Sequence, residues 1–380
     1  PYDPWFSGGY MNYYYFGHFL TAMITKSLGI LPEIAYNLSV PLFFSMTFGG
    51  IVSVVFNLCE WIRSSATKFV NYSRFFSLIA GVLGAFFVCV FGNFDGIIQL
   101  VGNTFTNHLG SMEFDYWKSS RMMPSSVEGI TEFPFFTFLF ADLHAHLMVM
   151  PFSILSLAIS MSIIHQNYVS VGSGYLNIKA VEFGKLFIAA LVLGALLVTN
   201  AWDYPTQILI LAASILISEY IKLKGLTLML FVRGSWKILI VAFFSILLFL
   251  PYHQNYETFF NGIAFTTHTT EFWRIVAIFG FPLLLIVSFY RSMFIATLRE
   301  LTNKLVNWQG GKIKANNFRA NIVLMFGGII MLVVLIGLYS QFGLTLILMG
   351  ILSAFVAYIS ISSLKLLDSK SGIICFLGLL

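Results

Sequence analysis

Charge is what this sequence has least of. Only 10% of its 380 residues are Asp, Glu, Lys or Arg, against about 25% in a soluble domain. With 58% hydrophobic residues and a mean hydropathy of +0.86, a water-soluble fold is excluded. Cysteine is scarce as well: Cys59, Cys89 and Cys375 make no even set and no metal-ligand spacing, so free structural thiols are expected. There is no internal repeat, no low-complexity tract, no polar stretch long enough for a soluble domain, and no legible secretory signal. The net charge of +5 does not point to nucleic acid, because the basic residues lie in short loops rather than in a patch interleaved with aromatics. The chain begins at Pro1 without methionine and ends at Leu380 inside an apolar run, so it is expected to be a segment of a longer protein.

What is abundant is apolar sequence in runs of about 20 residues, enough to cross a hydrocarbon core of about 30 Å. Full spans are expected at 36–58, 75–98, 147–164, 184–201, 205–221, 237–251, 275–290, 321–339 and 342–361, with a partial one from 372. Residues 13–30 are apolar but carry His18 and Lys26 behind three tyrosines, the pattern of a helix lying in the membrane interface. The expected fold is an all-α polytopic transmembrane bundle, one integral membrane domain over 1–380. Within it, 1–32 form an outer loop and juxtamembrane helix, 33–290 a motif-bearing core, and 291–380 a basic cytoplasmic loop and the C-terminal spans.

Alternate loops (59–74, 165–185, 218–237, 291–320 and 362–371) hold all of the 21 Lys and Arg except Lys26, Lys118, Arg121 and Arg274. The positive-inside rule makes those loops cytoplasmic and places the protein in a cytoplasmic or plasma membrane. Of the 16 acidic residues only Glu60, Glu182, Glu219, Glu300 and Asp368 share that side. Acidic residues do not set topology, so their concentration on the other side points to a functional site.

Four polar and aromatic segments gather there: Asp3–His18, Glu113–His146, Asn200–Thr206 and His253–Arg274. In the first, Pro4 and the Gly8-Gly9 pair put Asp3 on an irregular loop, while Tyr13, Tyr14 and Tyr15 fit an interfacial belt. In the second, a helix running on from Pro134 would put Asp142 and His146 four residues apart on one face, with His144 pointing elsewhere. Ionisable groups in apolar helices normally face a cavity or a partner. Three roles stay open for Asp142, His144 and His146: ligands of a divalent metal such as Mg or Mn, a hydrogen-bonded cap, or acid/base and substrate-binding chemistry. In the third segment, Asp203 is placed to cap a helix starting near Pro205, with Trp202 and Tyr204 as interface anchors. The fourth carries His253, Glu257, His268, Glu271 and Arg274 without a metal or nucleophile signature. Arg121 is suited to a lipid phosphate, or to a salt bridge with a nearby carboxylate.

The segments DPWFSGGYMNYYYFGH, YWKSSR, EFPFFTFLFADLHAHLMVMPF and NAWDYPT resemble, in this order, the signature segments of the YYY-domain membrane proteins, an uncharacterised family named for its tyrosine triplet. The likeness covers about the first 280 residues. That family is grouped with the class C glycosyltransferases, polytopic enzymes that use a lipid-phosphate-linked sugar on the extracytoplasmic face. The resemblance implies that Asp3 occupies the first outer catalytic loop and that a first span precedes Pro1. The paired acidic motif of many class C enzymes is absent, since Pro4 follows Asp3, and Asp142 is the candidate for the second acid.

The function implied is transfer of a sugar from a polyprenyl-phosphate donor. Asp3 or Asp142 would be the general base, His144 or His146 would orient the acceptor, and Arg121 would hold the donor phosphate. Tyr13, Tyr14, Tyr15, His18, Glu132, Trp202, Asp203 and Tyr204 would line the substrate site. Expected partners are the lipid-linked sugar, membrane lipid and other membrane proteins, without nucleic acid. Two other classes compete: a transporter, which calls for broken helices near the bilayer centre, and a non-catalytic subunit of a larger membrane assembly.

Overall fold

The computed structural model describes residues 2–4, 6–65, 73–105, 114–123, 129–169, 175–223, 225, 227–257, 270–285 and 288. Among them the fold is all-helical. In chain order the helices are α1 Phe16–Leu28, α2 Pro32–Ser65, α3 Arg74–Cys89, α4 Asp95–Phe105, α5 Pro134–Phe140, α6 Ala145–Val169, α7 Tyr175–Thr199, α8 Tyr204–Leu223, α9 Leu228–Leu247, α10 Leu250–His253 and α11 Phe272–Leu285. The chain divides into two compact units, one built from 2–91 and 134–257, the other from 92–133 and 270–288.

In the first unit, α2, α6, α7, α8 and α9 are long and apolar enough to cross a membrane. The chain is thus an integral membrane protein, with five of the expected spans present among the described residues. The spans expected at 321–339, 342–361 and from 372 lie outside the described residues. The juxtamembrane segment expected at 13–30 forms α1, which ends at Gly29 in the left-handed region (φ 65°), where glycine meets no Cβ penalty.

Two expected spans are corrected. The one at 75–98 stops at Cys89, so α3 has 16 residues, about 24 Å at 1.5 Å per residue. The chain then breaks, and the Asn93 side-chain oxygen accepts from the Asp95 amide to start α4. The span expected at 237–251 instead starts at Leu228, after Thr227 caps the Leu230 amide, which places Arg233 and Lys237 inside the helix. Lys237 is tolerated there because Glu182 of α7 and Glu219 of α8 both accept from its ammonium group, the latter at 2.5 Å. Of the segment expected to span at 275–290, the part up to Leu285 lies in the apolar helix α11, and 286, 287, 289 and 290 lie outside the described residues.

Lipid tails are as apolar as leucine, so burying apolar surface does not drive helices together in a bilayer; close backbone approach does. All four buried residues of α3 are small and four apart: Ser77, Gly81, Ala85 and Cys89. They form one stripe against α2, and a Cβ on Gly81 would lie 2.8 Å from the Val52 carbonyl oxygen. Gly194 of α7 meets Phe249 and the Ser245 carbonyl in the same way. Ile159, Ile163, Leu193, Leu211, Ile215 and Val241 fill the centre between α6, α7, α8 and α9.

The basic ends of the spans meet at one end of this unit. Arg63 and Arg74 share Glu60, and Lys222 and Lys237 share Glu182 and Glu219. The other end carries the loops at 2–15, 141–144 and 200–203. Beneath them Val40, Phe43, Phe138, Leu143, Leu147 and Met148 pack as a second core.

Candidate functional site

The site begins at a bend. Helix α5 ends at Phe140, Ala141 takes a left-handed backbone (φ 61°), and α6 starts at Ala145. An alanine held there costs about 1 kcal/mol or more, so the surroundings enforce the turn. Leu143 is buried in the second core, and its amide donates to the Tyr36 hydroxyl at 3.1 Å. The continuous helix expected after Pro134 is therefore interrupted, and the face that would have stacked Asp142 on His146 does not form. His144, expected to point elsewhere, instead meets His146.

Asp142 and His144 are exposed and His146 is half-buried. The Tyr36 hydroxyl donates to Asp142 Oδ1 at 3.1 Å. His144 is held at both ring nitrogens, by the Tyr13 hydroxyl 2.8 Å from Nε2 and by Nδ1 of His146 3.0 Å from its own Nδ1. At that separation one imidazole must donate and the other accept, so the two rings cannot both be protonated.

His18, on the first turn of α1, reaches the same place. Burial pulls its imidazole below the usual histidine value, opposed by a hydrogen bond with the Leu143 backbone and by the Asp142 carboxylate, while His144 adds to the lowering. Burial, then Asp142 and Tyr14, push the Tyr13 hydroxyl up. Helix α1 can come this close because Gly17 sits on Met148, where a Cβ would be 2.7 Å from the sulfur.

From the turn between α7 and α8, Asp203 accepts from Asn200 Nδ2 at 2.6 Å. Burial raises its carboxyl above the usual value, opposed by Asn200 and by the positive charge of His146. The first, second and third sequence segments thus converge through Tyr13, His18, Asp142, His144, His146 and Asp203.

Other candidates lie beside this group or apart from it. Tyr14 and Tyr15 join an aromatic group with Tyr252 and Tyr256, with ring centroids 5.6 Å apart for Tyr14–Tyr256 and 5.4 Å for Tyr15–Tyr252. Burial and the neighbouring tyrosines raise the Tyr252 and Tyr256 hydroxyls well above the usual range. Tyr15, Tyr252, Tyr256 and Asn255 help to line a cavity of about 280 Å³. Tyr204 turns into the bundle, 2.9 Å from the Ser245 hydroxyl, and Trp202 is 74% exposed. Asp3 lies on a loop closed by its amide on the Gly9 carbonyl at 3.0 Å. Glu113 and His268 lie outside the described residues.

In the second unit, Arg121 Nη1 is 3.0 Å from Glu132 Oε1 and its guanidinium lies 4.4 Å above the Trp117 ring. The carboxylate that Arg121 meets is thus Glu132. Arg274 pairs with Glu271 at 3.2 Å.

Sequence reasoning missed Tyr36, a lone tyrosine at the start of a span with no local signal. It also missed Tyr252 and Tyr256, which lie on either side of the end of α10 at His253 and stack with ring centroids 5.1 Å apart. In the second unit, buried Asp95 accepts from Gln99 Nε2 at 2.5 Å and from Ser119 Oγ at 2.8 Å. In the sequence those residues read as apolar filler or loop. Among the described residues, no group of three or more His, Cys, Asp or Glu side chains is disposed to hold a metal ion.

Chemically, the converging groups offer a carboxylate oxygen open to a substrate, Asp142 Oδ2, beside two linked imidazoles and a phenol. That set can accept a proton and pass it on. No curated protein and no solved structure matches the chain. A family model described as "Uncharacterized membrane protein (DUF2298)" matches residues 1–380. With a family match over the full length and five membrane-spanning helices carrying the site, the chain belongs to the DUF2298 family of uncharacterised membrane proteins.

Proposed function

We propose that the protein is a membrane transferase that moves a sugar from a polyprenyl-phosphate-linked donor to an acceptor hydroxyl, at the boundary opposite the basic loops. What supports this is the convergence of Tyr13, His18, Asp142, His144, His146 and Asp203 from three sequence segments at one end of the first unit, together with the resemblance of those segments to the YYY-domain proteins. By the positive-inside rule that boundary is extracytoplasmic.

Asp142 is the general base, preferred over Asp3 because the Tyr36 hydroxyl fixes one of its oxygens and the other is open. It takes the acceptor hydroxyl proton as the acceptor oxygen bonds to the anomeric carbon. The bond from that carbon to the phosphate oxygen breaks, and the lipid phosphate leaves with the electron pair. His144, held at both ring nitrogens by Tyr13 and His146, orders the wall beside Asp142. The cavity beside Tyr15, Tyr252 and Tyr256 offers ring faces to a sugar.

The test uses the full chain reconstituted in liposomes with a radiolabelled polyprenyl-phosphate-linked hexose and a hydroxyl acceptor. Asp142→Asn and His144→Gln are each expected to lower transfer by about 100-fold or more with unchanged melting. Transfer unaffected by both substitutions would remove the proposal.

A further inference from the structure

At the basic end of the first unit, a cleft of about 480 Å³ opens between α2, α6 and the start of α3. It lies at the opposite end of the spans from Asp142 and His144 and does not depend on the transferase proposal. At its rim, Glu60 is a shared anchor. Arg63 approaches it side-on through Nε at 3.1 Å and Nη2 at 2.6 Å, Arg74 Nε is 3.4 Å away, and the Ser77 hydroxyl donates at 2.7 Å. Two guanidinium groups against one carboxylate leave a net positive charge. The Arg74 side chain is 79% exposed, and among the described residues nothing else holds its guanidinium, so its Nη groups are open to an anion.

Below the rim the lining changes character. It descends along α2 from Arg63 to Ser53, ten residues or about 15 Å, where apolar Val54, Ala158 and Met161 alternate with polar Ser53, Asn57 and Ser162. The Trp61 ring, edge-on to His165 with centroids 4.7 Å apart, closes one side. A charged rim over a wall of mixed hydroxyl, amide and apolar side chains, running along two helices that span the membrane, matches an amphiphile with an anionic head, a polar ester region and an apolar chain. Guanidinium forks fit phosphate oxygens, and lysine- and arginine-rich membrane faces favour anionic lipids.

We propose that this cleft binds a phosphate-bearing anionic membrane lipid, with its phosphate on Arg74 and its chain along Val54, Ala158 and Met161. The test is native mass spectrometry of the full chain in detergent, titrated with phosphatidylglycerol, phosphatidylcholine or inorganic phosphate. Wild type is expected to retain phosphatidylglycerol over phosphatidylcholine. Arg74→Gln is expected to weaken that binding about tenfold with unchanged melting. Arg233→Gln, an exposed arginine at the same end of the spans, should leave it unchanged. Equal losses in both variants, or none in Arg74→Gln, would overturn the site. Displacement of phosphatidylglycerol by inorganic phosphate over the same concentration range would overturn the lipid as its occupant.

Discussion

The Tyr13 hydroxyl lies 2.8 Å from Nε2 of His144, across 131 residues of sequence. Because Nδ1 of the same ring touches His146, a neutral His144 satisfies the row in only two proton arrangements. Either His144 accepts from Tyr13 and donates to His146, or both directions reverse. A row with two such states can pass a proton along without moving a heavy atom.

Replacing Tyr13 with Phe keeps the ring that packs beside His144 at 6.2 Å and removes the oxygen. The bond is partly exposed, so a stability loss of about 1 kcal/mol or less is expected. Sugar transfer should fall by about 10-fold or more if the row positions the acceptor. Thermal melting in detergent beside a transfer assay checks this: equal small losses in both would make the contact structural only.

Gly81 tests the helix packing. Its absent Cβ would lie 2.8 Å from a backbone oxygen of Val52, which cannot rotate away as a side chain can. Gly81→Leu is expected to destabilise the protein by about 1–3 kcal/mol. At Gly49 a Cβ would meet nothing within 4 Å, so this position should accept Ala with a change below about 0.5 kcal/mol. Melting midpoints of the two variants in the same detergent give the comparison.

The buried charges of α7, α8 and α9 form one unit around Glu219, whose side chain is 1% exposed. Lys237 bonds both Glu219 and Glu182. Lys237→Met leaves a buried carboxylate short of its partner and should cost about 3 kcal/mol or more. Lys222, 29% exposed, contacts the same two carboxylates, and Lys222→Met should cost clearly less because water can replace it. Denaturation of the two variants side by side decides whether burial sets the order.

The spans are legible wherever hydropathy alone determines the element: α6 and α8 match the expected bounds closely, while α2 and α7 begin four and nine residues before the expected spans. Where a polar pair cancels, the span is hidden. Lys237 reads as loop because Glu219, 18 residues upstream on another helix, is invisible to a local window. The 75–98 span is overextended because Phe91, Phe94 and Ile97 keep the window apolar across the cap made by Asn93. The site residues stand out singly as costly polar groups near span ends, and six of them do converge. Their pairing does not stand out, because it depends on the bend at Ala141. No glycine or proline marks that bend; packing of Leu143 and the Tyr36 hydroxyl impose it.

Two groups near that bend give a pH response. His18 has its pKa lowered, first by burial, so the folded protein binds its proton less readily than the unfolded chain does. The stability associated with the neutral ring is present above the ordinary histidine value of about 6.5 and is lost as pH falls through the depressed folded value. Asp203 moves the opposite way. Its raised pKa favours the neutral acid, so its contribution is full below the ordinary aspartate value of about 3.9 and is lost as pH rises through the raised folded value. Melting followed from pH 7.5 down to 4.5 should therefore change less steeply on the acid side of 6.5 in His18→Gln than in wild type. Asp203→Asn, always neutral, should lose the part of the curve that falls as pH rises from about 4. If both variants track the wild-type curve in parallel, neither group feels the burial that the loops at this end of the bundle impose.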